Sequence, residues 1–162
     1  MANASTVQVQ SDDRRQELPL DLLSELEKAH QRLSECMAEM DQVTREALPD
    51  RFRFTRARFR ISSASLARRQ LLGVICARLM PHVPEADAER LQALQRSDRD
   101  LMRQSAKHVA TWTLDTVNAD WASYCMASRE LRRHMRDALD LERRVLTSLL
   151  QRYARGGPRR LT

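Results

Sequence analysis

Chain-breaking residues are scarce in this sequence: three glycines and five prolines in 162 residues. Glycine frees the backbone, and proline fixes φ and removes a donor, so the two punctuate a chain. Here Pro19, Pro49, Pro81 and Pro84 fall at the ends of long stretches, and Pro158 follows Gly156 and Gly157. A β-sandwich or barrel needs many turns and many β-branched or aromatic positions. Aromatics are only 4% of this chain, which argues against all-β architectures. No glycine-rich phosphate loop is present to support a nucleotide-binding α/β fold.

Within the stretches, apolar residues recur every three or four positions, the period of a helix with one buried face. Four helices are predicted. The first covers residues 20–47, with Leu22, Leu26, Leu33, Met37, Met40 and Ala47 in its stripe. The second covers 51–79, with Phe54, Ile61, Leu72, Ile75 and Leu79. The third covers 86–117, with Leu91, Leu94, Leu101, Trp112 and Leu114. The fourth covers 121–153, with Trp121, Tyr124, Leu131, Met135, Ala138, Val145 and Leu149, and Asp120 caps it. Such helices are about 40–50 Å long at 1.5 Å per residue. Short connections make sequential helices antiparallel. The expected fold class is therefore all-α, an antiparallel up-down-up-down four-helix bundle over residues 18–154. Residues 1–17, which lack a packable stripe, read as a disordered tail, and 155–162 as a basic tail.

The net charge is +6, and 26 of the 28 basic residues are arginine, the exceptions being Lys28 and Lys107. Arginine favours planar anion contacts, so an acidic or nucleic-acid partner is permitted. The 22 acidic residues are interspersed, however, and suit a solvated surface equally well. Cys36, Cys76 and Cys125 are odd in number and far apart, as expected of reduced thiols in a cytoplasmic protein. No apolar segment has the form of a signal peptide or a membrane span.

Polar residues interrupt the apolar stripes. His30 lies between Leu26 and Leu33, Arg68 before Leu72, Asp98 between Leu94 and Leu101, and Glu142 between Ala138 and Val145. Measured from one end of the expected bundle, each lies about ten to twelve helical residues in, roughly 15–18 Å. The four side chains are thus expected in one layer. Two carboxylates sharing a core layer repel unless a cation lies between them, and Arg68 can supply one by bridging Asp98 and Glu142. His108 also falls on the third stripe.

This arrangement resembles the hemerythrin-like family of four-helix bundles. Residues 26–33 resemble that family's first ligand helix, with His30 at the ligand position, and residues 142–150 its last, with Glu142 as the ligand carboxylate. Residues 94–101 are similar to the third helix's ligand segment, with Asp98 where histidine is expected. Ala138 stands where the family carries a histidine before the last glutamate, and Ala67 and Leu71 stand at the ligand positions of the second helix. The resemblance covers residues 20–153. It implies a bundle that kept the architecture and lost the iron pair.

Other constellations have blander readings. Arg51, Arg53, Arg56, Arg58 and Arg60 interleave with Phe52, Phe54 and Phe59. This run is either a patch for an anionic partner or a helix turn with phenylalanines inward and arginines outward. Trp112, Trp121 and Tyr124 form a core cap at the third break. No nucleophile, base and orienter can be assembled, so no catalytic residue is assigned and no enzyme is expected. Three functions remain. The first is a non-enzymatic, hemerythrin-like binding or regulatory module in the cytoplasm, with no cofactor. The second is an iron-binding protein using His30, Asp98 and Glu142. The third is a basic protein that binds nucleic acid or an acidic protein. A protein partner of unknown identity, no membrane, and a monomer or homodimer accompany the first.

Overall fold

The computed structural model describes residues 5–154, with side chains over 21–153. Among the described residues the chain is helical and contains no strand. Helix α1 covers Ser5–Val43, α2 Arg51–Leu79, α3 Glu85–Thr111, α4 Leu114–Ala119 and α5 Trp121–Ala154. A single 3-10 turn, Met80–His82, joins α2 to the loop before α3. Helix α1 packs on α2 and α5, α3 packs on α5 and more thinly on α2, and α4 packs on α5. Among the described residues no helix is long and apolar enough to cross a membrane.

Local chemistry sets the boundaries. Asp50 caps α2 by accepting from the Arg53 N–H at 3.0 Å. Glu85 and Asp87 in the first turn of α3 favour its N-terminal dipole end. Asp120 Oδ1 accepts from the Ser123 N–H at 3.1 Å at the start of α5, as its position in the sequence predicts.

Several boundaries differ from expectation. The backbone of α1 is helical from Ser5, not from Leu20, and no glycine interrupts the added segment. The tail assignment for 1–17 concerns residues whose side chains lie outside those described, as do 1–4 and 155–162 altogether. At its other end α1 stops at Val43, and Ala47 is exposed. Thr44 Oγ1 donates to the carbonyls of Met40 and Asp41 at 2.9 and 3.3 Å, taking acceptors that a further turn would use. The expected third helix is two. Helix α3 ends at Thr111, Trp112 closes it with an N–H to His108 O at 3.0 Å, and Thr113 caps α4. Arg58 stabilises this break, donating to Trp112 O at 2.6 Å and Val109 O at 3.0 Å. A guanidinium on the last carbonyls of α3 satisfies acceptors that have no helical partner.

The buried face of α5 keeps Tyr124, Met135 and Leu149 of the expected stripe and departs from it elsewhere. Leu131, Ala138 and Val145 are half-buried, whereas Arg132, Leu139 and Leu146 are buried. Arg132, Leu139 and Leu146 recur every seven residues, about two helical turns, so one face carries all three.

The apolar core forms three clusters. One contains Leu26, Leu72, Leu94 and Leu146. The next contains Leu33, Ala64, Leu101 and Leu139. The third contains Met40, Phe54, Val117 and Tyr124. In each of α1, α2, α3 and α5, one buried titratable residue lies between a member of the first cluster and a member of the second. The four are His30, Arg68, Asp98 and Glu142.

Candidate functional site

The side chains expected in one layer meet. Arg68, 1% exposed, projects from α2 between two carboxylates. Its Nη1 donates to Glu142 Oε1 on α5 and its Nη2 to Asp98 Oδ1 on α3. His30 on α1 lies with Nε2 3.0 Å from Glu142 Oε2. An ionised carboxylate only accepts, so this geometry places the proton on His30 Nε2. Arg69 approaches from the rim, with Nε 3.5 Å from Asp98 Oδ2. The guanidinium therefore joins two helices rather than gripping one carboxylate as a fork. Arg68 Nε and Arg69 Nε are buried without a hydrogen-bond partner in the protein.

Cys76 belongs to the apolar cluster on one side of this layer. Burial, followed by the charges of Glu142 and Asp98, pushes its thiol up to about 11. A thiol held neutral in this way is a poor nucleophile at neutral pH.

The residues present do not fit an iron pair of the kind that the hemerythrin-like family holds. Both Glu142 oxygens and the His30 nitrogen are engaged with each other or with Arg68, and a protein cation occupies the space between the carboxylates. Ala67, Leu71 and Ala138 offer no donor. Among the described residues no group of three or more His, Cys, Asp or Glu is arranged to hold a metal ion.

The arginine-rich turn of α2 does not form one face. Arg56 and Arg60 share Glu39 of α1, at 3.0 and 2.6 Å, and Arg53 pairs with Glu46. Arg58 turns under the end of α3 and lies 5.7 Å from the centre of the Phe54 ring. Arg51 is exposed. Of the interleaved phenylalanines only Phe54 is inward; Phe52 and Phe59 are 76% and 71% exposed. The expected aromatic cap is assembled around Tyr124. Phe54, Trp121 and Trp112 lie 5.1, 5.5 and 5.7 Å from it, and Trp121 Nε1 donates to Glu46 O at 2.9 Å.

Sequence reasoning missed three features. The first is a second buried polar group, centred on Arg132 of α5. Its Nε donates to Asp41 Oδ1 at 2.8 Å, its Nη2 to Thr44 Oγ1 at 3.1 Å and its Nη1 to Ser128 Oγ. The signal is present in the sequence: Tyr124, Ser128, Arg132 and Met135 are spaced by four, four and three, but the expected stripe runs from Tyr124 through Leu131 to Met135 and leaves out Ser128 and Arg132. The second is Asp87, buried at the start of α3 and paired with Arg152 at 2.6 Å. The third is a cavity of about 540 Å³ between α2, α3 and α5, in part walled by small residues such as Ser62, Ser65, Ser105 and Ala106. His108 lines it, with its ring 5.5 Å from Tyr124. Burial, then Arg58 and Arg132, lower the imidazole to about 4, so it is neutral at pH 7.

No protein-family model, curated protein or solved structure matches the chain.

Proposed function

We propose that the chain is a metal-free, antiparallel four-helix bundle, similar in arrangement to the hemerythrin-like family, that acts as a non-enzymatic binding or regulatory module in the cytoplasm. One observation carries this reading. The Arg68 guanidinium lies between Asp98 and Glu142, with His30 on the far oxygen of Glu142, at the depth where the resemblance would put metal. A fixed +1 charge on a side chain offsets the two carboxylates without a redox-active ion. The layer then holds the register of four helices, and the work of the molecule falls to binding. The helix pairings support the bundle, since α1, α2, α3 and α5 each contact two others of the four. The free cysteines support a reducing compartment. A nucleic-acid role is weakened by the pairing of Arg53, Arg56 and Arg60 with Glu46 and Glu39.

Elemental analysis of protein purified from iron-supplemented cells tests the reading. The expected content is less than about one iron per chain. A content near two irons per chain overturns it and restores an oxygen or redox role.

A further inference from the structure

The cavity between α2, α3 and α5 combines an apolar interior with a one-signed rim. Met40, Ile61, Leu131 and Met135 supply its floor. Among the described residues three arginines line it, Arg58, Arg69 and Arg132, and no aspartate or glutamate does. Two of the three are offset nearby, Arg132 by Asp41 at 2.8 Å and Arg69 by Asp98 at 3.5 Å. Arg58 is different. Its two terminal nitrogens rest on the carbonyl oxygens of Trp112 and Val109, and no carboxylate pairs with it among the described residues. A volume of about 540 Å³ lies within the range of small-molecule sites, which are mostly apolar with a few placed polar groups. A guanidinium without a carboxylate partner beside an apolar floor asks for a ligand with the opposite pattern.

We propose that this cavity binds a small amphipathic monocarboxylate, its hydrocarbon body against Ile61, Leu131 and Met135 and its carboxylate on the Arg58 guanidinium. The proposal rests on the binding-module reading and names the ligand class for it. A guanidinium recognises a carboxylate through charge-assisted hydrogen bonds, which are stronger than those to a neutral hydroxyl. The chain body adds favourable burial in proportion to its apolar area. Burial is the main cause of the lowered titration of His108, and the charges of Arg58 and Arg132 add to it from the cavity wall.

The probes are decanoate, below its micellar concentration, and decanol, which has the same chain and no charge. Isothermal titration should give decanoate a Kd at least about tenfold below that of decanol. Ala106→Trp, at an exposed position on the cavity wall, should abolish binding without lowering the melting temperature. Leu66→Glu, half-exposed at the rim, should weaken decanoate but not decanol. Arg58→Gln should remove the preference for decanoate. Since Arg58 also caps α3, Leu66→Glu tests the charge argument independently of folding. Equal affinity for decanoate and decanol overturns the carboxylate assignment while leaving a binding module in place. Binding by neither probe, or binding that survives Ala106→Trp, overturns the site itself, whereas iron content bears only on the metal-free core.

Discussion

His30 and Glu142 lie 112 positions apart in sequence, and their side chains meet at 3.0 Å with only 2% and 3% of either residue exposed. Each is flanked on its own helix by leucines of two different apolar clusters, Leu26 and Leu33 in one case, Leu139 and Leu146 in the other. The contact therefore exists only when α1 and α5 are in one register. A shift of either helix by a turn would part the two and set His30 against leucine. Buried polar groups of this kind are weak evidence for added stability, but they penalise the wrong alignment.

Arg68→Met should cost about 3 kcal/mol, because it leaves Asp98 and Glu142 buried together without their cation. Replacing His30, Arg68, Asp98 and Glu142 together by leucine or methionine should cost much less, since no orphan charge remains. Urea unfolding of the two variants decides between a structural cation and a solvated arginine. A single variant within a few tenths of a kcal/mol of the parent would mean that Arg68 is solvated.

Arg132→Met should be milder, about 1–3 kcal/mol. Ser128 and Thr44 lose a partner, but Asp41 is 30% exposed and keeps Arg136. By contrast Arg60→Ala removes a half-exposed ion pair, and Arg56 still serves Glu39, so the change should stay within about 0.5 kcal/mol. Melting temperatures of the two variants rank the buried arginine above the surface one; equal losses would count against the burial argument.

The all-helical character was legible because helix periodicity needs only local sequence, and α2 is found over the residues predicted for it. The polar layer was legible for a related reason. A polar residue inside an otherwise apolar stripe has few places to go, and the depth of a residue along a helix is a matter of counting. Arg132 was not legible in the same way. Leu131 beside it satisfied the stripe, and a shift of one residue rotates a helix by about 100°. The break at Trp112 was hidden because what stabilises it is Arg58, more than fifty residues away, which no local pattern announces. The cavity was hidden because it depends on where α2 and α3 fail to touch.

The cysteines should separate into two classes. Cys36 and Cys76 are buried, and Cys76 in addition is held neutral by its surroundings. Cys125 is half-buried, with its thiol raised, chiefly by burial. A disulfide reagent at pH 8 should therefore modify one thiol, Cys125, ahead of the other two, and all three only in urea. Cys125→Ser should remove the fast phase. Rapid modification of Cys76 in the folded protein would contradict its placement between the leucines of α2 and α5.

His108 gives the fold a pH dependence of defined sign. Its folded value, about 4, lies below the ordinary imidazole value of 6.5, because burial and the guanidiniums of Arg58 on α2 and Arg132 on α5 disfavour the cation. Tyr124 faces the same ring from α5. Between pH 6.5 and about 4 the unfolded chain binds the proton and the folded chain does not. Stability should therefore fall as pH falls through that window and gain no further slope from this residue below it. His108→Gln should flatten this part of the profile. The quantity to measure is the difference in urea midpoint between parent and variant at pH 7 and pH 4.5, which cancels the other histidines. The parent should lose more than the variant on acidification; an equal loss would mean that His108 titrates as it does in water.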